Sequence, residues 1–130
     1  MRLNKFNAFT LVEIMIVVAI IALLAAIAVP GFLRARKRTQ AVKVLNDLRH
    51  IDSAVDQYAL ETNKAKGSPV AITDWTSYLK KGTALYTTGK NIFNEDYGPQ
   101  TVDELPKIPP VAFSSLSDVA DVSFWSPFAP

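Results

Sequence analysis

From Phe9 to Val29 the chain is apolar at every position except Thr10 and Glu13. A run of about 20 residues, at ~1.5 Å rise per residue, is long enough to cross a ~30 Å hydrocarbon layer as a helix. After Pro30-Gly31 the pattern changes to the basic stretch Arg34-Ala35-Arg36-Lys37-Arg38. From Gln40 to about Leu60, apolar residues recur at Val44, Leu48, Ile51, Val55 and Tyr58, the three-and-four spacing of a helical seam, with Lys43, Asp47, Asp56 and Gln57 largely off it. The pattern predicts one long helix from the membrane run through Leu60, with Pro30 removing one backbone donor and inviting a kink. Asn63 to Pro69, containing Gly67-Ser68-Pro69, predicts its stop.

Beyond that stop the periodicity is short-ranged. Thr73 as N-cap and Gly82 as C-cap predict a short helix. Asn91-Ile92-Phe93, a turn at Asn94 to Asp96, then Tyr97 and Thr101-Val102 predict a small hairpin. Pro106, Pro109 and Pro110 exclude regular pairing nearby. A helical turn is expected over Ser114 to Asp118, and a strand or extended tail over Val122 to Trp125. The fold class is α+β: a long N-terminal helix, membrane-spanning in its first half, with a small irregular head of short helices and a small antiparallel sheet. The expected divisions are a leader at 1–8, the membrane segment at 9–29, its amphipathic continuation at 30–62 and the head at 63–130.

Glu13 changes the picture most. An ionised carboxylate inside hydrocarbon costs at least about 2.5 kcal/mol, so Glu13 needs a partner, and the apolar run itself offers none. Such a residue marks a functional site unless it lies close enough to the interface to be hydrated. The whole segment, Asn7-Ala8-Phe9-Thr10-Leu11-Val12-Glu13 after a short basic leader and before an apolar helix, resembles the N-terminal signature of type IV pilins and pseudopilins. Pro30 matches a position where that family commonly carries Pro, whereas Ala8 stands where it usually has Gly. The resemblance is strong over residues 1–60, and the chain is most similar to a major pseudopilin of type II secretion.

The resemblance implies that a prepilin peptidase cuts between Ala8 and Phe9 and methylates the new Phe9 amine. It implies that the Phe9 ammonium of a neighbouring subunit is the counter-ion Glu13 lacks, so that Phe9, Glu13 and Pro30 serve assembly into a homo-oligomeric filament. Minor pseudopilins and an inner-membrane assembly platform are the other implied partners. The implied location is the bacterial inner membrane, single-pass, with the C-terminal domain in the periplasm and the assembled form in a periplasmic pseudopilus. A surface pilin for adhesion, motility or DNA uptake is the alternative within the family. Outside it stands a secretory signal ending at Ala26-Ile27-Ala28, which would release a soluble protein after Ala28.

Composition narrows the rest. At 130 residues the chain has room for one small domain beside the apolar run, and its net charge of +2 does not suggest a generally nucleic-acid-binding protein. The absence of cysteine excludes disulfides, thiolate metal sites and cysteine nucleophiles, and is shared with pseudopilins more than with pilins. Arg34, Arg36, Lys37 and Arg38 outnumber Arg2 and Lys5, which by charge counting alone reverses the topology that the family implies. Lacking interleaved aromatics, this cluster is expected to contact lipid headgroups rather than nucleic acid. His50, the single histidine, lacks any accompanying catalytic motif, and no enzyme activity is expected. No cofactor is expected. Calcium, which the resemblance raises for the C-terminal loops, has weak candidates in Asp118 and Asp121, but Asp96, Asp103, Glu104 and these two lack D-x-D-x-D spacing and read as solvated loop acids. The aromatic residues from Trp75 to Phe128 read as head core, with Trp125 and Phe128 the ones expected to meet a neighbouring subunit.

Overall fold

A computed structural model describes residues 8–130. Its elements are α1 (Leu11–Thr62), β1 (Pro69–Val70), α2 (Ile72–Thr76), α3 (Ala84–Thr88), β2 (Gln100–Thr101), α4 (Pro110–Ser115) and α5 (Val122–Trp125). This is the expected α+β arrangement. The 52-residue α1 contains Pro30 and runs past it without a break. A single missing N–H removes one rung from a ladder of many, and the apolar residues on both sides keep the helix as the best use of the remaining backbone groups. The residues form two compact units, one ending at Ala35 and the other spanning Arg36–Pro130.

In the first unit, every described residue of α1 is exposed, including Leu11, Ile20, Leu24 and Phe32. The second unit has a core. Ala41, Val44, Leu45, Leu48, Ile51, Ala54 and Val55 form one buried face of α1, with Tyr58 half-buried beyond them. Val70, Trp75, Leu85, Tyr97, Val102, Ile108, Ala112, Leu116, Trp125 and Phe128 close over this face. Each large side chain so buried contributes about 1.5–3 kcal/mol. The predicted seam is therefore the packing face, widened by Ala41, Leu45 and Ala54.

One residue assigned off the seam is on it. Asp47 is buried, with 7% of its surface exposed, and its Oδ2 accepts a hydrogen bond from the Tyr97 hydroxyl at 3.1 Å. Helical spacing alone does not foresee that a phenol arriving from fifty residues away will satisfy a carboxylate on this face.

Several head elements differ from expectation for identifiable reasons. The sheet is antiparallel with Pro69 opposite Thr101 and Val70 opposite Gln100. Its strands therefore join the expected stop to the far side of the expected hairpin, and Gly67 N–H to Val102 O and Val102 N–H to Ser68 O extend it, each at 3.0 Å. Between Asn91 and Glu95 the chain forms an Asn-centred loop instead of a hairpin. Asn91 Oδ1 accepts the Phe93 and Glu95 N–H groups at 2.9 and 3.1 Å, replacing the partners a second strand would supply. A single Lys90–Asp96 bridge remains there.

The short helix predicted between Thr73 and Gly82 is found as the shorter α2, and a second short helix, α3, follows beyond Gly82. The N-cap of α2 is Ala71, whose N–H donates to Asp74 Oδ2 at 3.2 Å, and Thr73 lies inside the helix. Thr83 caps α3 by accepting the Tyr86 N–H, and Gly89, at φ +64°, closes its C-terminus. A Cβ at Gly89 would come within 2.9 Å of Ile72 Cγ2, so both conformation and space require glycine here. The turn expected over Ser114 to Asp118 begins earlier, as α4, with Pro110 in its first turn. Val122 to Trp125 is helical rather than extended because Asp121 Oδ1 accepts the Phe124 N–H at 2.9 Å. Trp125 and Phe128, expected at a subunit contact, are buried at 0% and 4% exposure and belong to the core.

Candidate assembly site

Met1 to Asn7, most of the expected leader, lie outside the described residues. Ala8 and Phe9, on either side of the expected cleavage bond, are exposed. Thr10 and Glu13 form reciprocal bonds at the start of α1: Thr10 N–H donates to Glu13 Oε2, and Glu13 N–H donates to Thr10 Oγ1, both at 3.2 Å. This is a capping box, in which two N–H groups at the helix start receive side-chain acceptors. Glu13 thus has a partner within its own chain, contrary to the expectation that the run offers none. The Thr-x-x-Glu spacing was visible in the sequence and is the signal for it. The capping also draws the carboxylate back toward the N-terminal end of α1, the side on which Phe9 lies. Pro30 lies on the same element, inside α1.

Of the basic cluster, Arg34, Arg36 and Arg38 are exposed, whereas Lys37 is half-buried and its Nζ lies 2.8 Å from Asp118 Oδ2. The two calcium candidates line one shallow hollow but are engaged by different protein groups. Asp118 meets Lys37, and Asp121 Oδ1 accepts both the Phe124 N–H and the Ser123 hydroxyl, the latter at 2.7 Å. Those hydrogen bonds hold the Asp121 carboxyl below its ordinary pKa, Ser123 contributing most. Among the described residues no three His, Asp or Glu side chains are grouped to hold a metal. Calcium takes six to eight oxygen ligands, and of these two carboxylates Asp118 Oδ2 is already engaged by Lys37 and Asp121 Oδ1 by the start of α5.

A groove of about 340 Å³ runs along α1 past Lys43, Asp47, His50 and Ser53 and is walled by Tyr78 and Leu85. Asp47, His50 and Ser53 line one side, but the hydrogen-bond partner of Asp47 is Tyr97 rather than His50, so the geometry of a nucleophilic triad is not formed. Burial pushes the Asp47 carboxyl above its ordinary pKa, against the Tyr97 hydrogen bond and the charges of Lys43 and His50. The Tyr97 phenol is likewise pushed up, by burial first and by Asp47 second.

Comparison with known proteins agrees with the N-terminal reading. Residues 3–29 match the family model described as the prokaryotic N-terminal methylation motif. Type II secretion system core protein G of Klebsiella michiganensis is 34% identical over 64 residues, covering 49% of this chain and 45% of that protein. The core protein G of Escherichia coli is 33% identical over 60 residues, covering 46% and 41%. Type IV major pilin protein PilA of Myxococcus xanthus is 38% identical over 68 residues, covering 49% and 31%. The chain thus spans less than half the length of these relatives. No solved structure matches it. The resemblance to prepilin-like chains is upheld by the motif and by these relatives, and α1 is long and apolar enough to cross a membrane.

Proposed function

We propose that this chain is a structural subunit of a type II secretion pseudopilus. A prepilin peptidase cuts it between Ala8 and Phe9, the Phe9 amine is methylated, and the subunits leave the inner membrane to assemble helically through α1. The observation that supports this most directly is an apolar helix exposed along its whole first part with one carboxylate, Glu13, held near its start. In the monomer these side chains face lipid and in the filament they face other subunits, so lipid contacts are exchanged for protein contacts of similar apolarity. The gain on assembly then comes from packing and from pairing Glu13 with the incoming Phe9 ammonium. The head lies on the periplasmic side, minor pseudopilins and the inner-membrane platform are partners, and the chain performs no catalysis.

A surface filament is the second reading, favoured by the similarity to PilA. Mass spectrometry of the membrane-extracted protein tests both against release as a soluble protein. A mature chain beginning at methylated Phe9 is the expected result, and one beginning at Val29 would overturn it. Deletion of the chain in its native host then separates the two filaments: loss of secreted enzymes marks the pseudopilus, and loss of surface fibres marks the pilus.

A further inference from the structure

The C-terminal segment is closed by a set of protein groups that includes the Lys37 ammonium. Lys37 Nζ meets Asp118 Oδ2 at 2.8 Å, with both side chains about half exposed. Asp121 spends Oδ1 on capping α5, and Arg38 lines the same shallow hollow as Asp118 and Asp121. Ala120 N–H donates to Leu116 O at 2.9 Å, so the turn joining α4 to α5 carries its own backbone bond. Beyond α5, Phe128 is buried and its carbonyl accepts the Ile108 N–H at 2.9 Å. Two carboxylates three positions apart repel, and a nearby cation relieves this whether it is a metal or an ammonium.

We propose that the Lys37 ammonium is the resident cation of the loop at 116–121, so that the C-terminal segment closes on α1 without calcium. The chain has no cysteine, so no disulfide closes it either. Lys37 is thereby withdrawn from the basic cluster, leaving the exposed Arg34, Arg36 and Arg38 as the expected headgroup contacts. This holds for a secretion or a surface filament alike and does not depend on that choice.

The test uses the full chain in zwitterionic detergent, with unfolding followed by tryptophan fluorescence. Millimolar calcium and excess EGTA should give the same midpoint, and terbium should show no luminescence sensitised by Trp125. Lys37→Met should lower the midpoint by about 2–6 °C, the range for an exposed ion pair in a domain of this size. Asp118→Asn should do the same, and combining the two should add little. A midpoint raised by calcium in the parent chain, or unchanged midpoints in both variants, would overturn the proposal. In nanodiscs, amine labelling of Lys37 should be equally slow with phosphatidylcholine and with phosphatidylglycerol. Protection of Lys37 by phosphatidylglycerol alone would return it to the headgroup cluster.

Discussion

Asp47 shows how a single side chain can cost stability and still be accommodated. Burial raises its pKa, so the folded state favours the neutral carboxyl more than the unfolded chain does. The sign follows: its contribution is most favourable below the ordinary value of 3.8 and is lost as pH rises through the raised native pKa. Asp47→Asn keeps an acceptor for the Tyr97 hydroxyl and removes the charge. The variant should melt higher than the parent at pH 7, and thermal scans should show the difference shrinking as pH falls toward 4. The two tryptophans offer a second residue-scale contrast. Trp75 Nε1 donates to the Gly98 carbonyl at 3.2 Å, whereas among the described residues Trp125 Nε1 has no acceptor. Trp75→Phe should therefore cost about 1 kcal/mol more than Trp125→Phe, measured by urea unfolding with the remaining tryptophan as probe.

At the scale of elements, the head is held by caps reaching across the chain more than by propensity. Glu95 accepts the Val111 N–H on Oε1 at 3.0 Å and the Ala112 N–H on Oε2 at 3.1 Å, and Oε2 also accepts from Asn91 Nδ2 at 3.2 Å. One carboxylate thus fastens the start of α4 and the Asn91 loop together. Glu95→Ala removes acceptors from both at once and should cost about 1–3 kcal/mol, more than a local N-cap loss of about 1. Amide exchange should quicken at Val111 and Ala112 together with Phe93 and Glu95, while α2 and α3 stay protected. Faster exchange at Val111 and Ala112 alone would show that the two elements are not coupled through Glu95.

For the whole molecule in the proposed filament, the group to test is Glu13. Glu13→Leu removes the charge and the capping contact, so membrane insertion should be at least as good as in the parent. Assembly should fail, because an unpaired Phe9 ammonium in an apolar filament core costs on the order of the ~3–5 kcal/mol seen when one partner of a buried pair is lost. Glu13→Gln retains an acceptor for the Thr10 N–H and should fail equally, which separates the intersubunit charge from the helix cap. Filament yield and cross-linking through engineered cysteines measure this cleanly, since the chain has no cysteine of its own. Normal filaments from Glu13→Leu would leave Glu13 with the capping role alone.

The long helix, its lipid-compatible first part and its packing face were legible from residue order, because helical periodicity and apolar run length are local properties. Val44, Leu48, Ile51 and Val55 are buried as their spacing requires. So was the motif around Phe9 and Glu13, with the Thr10 cap present in the same few residues. The head was legible only in outline. Its strands are two residues each and pair across thirty positions, and α4 begins where a glutamate fifteen residues earlier supplies its acceptors. Asp47, Trp125 and Phe128 are buried by partners distant in sequence, and Lys37 leaves its basic neighbours for Asp118, eighty-one residues away. Short segments carry too little periodicity to declare themselves, so the contacts that choose their ends and their partners exist only once the chain has closed on α1.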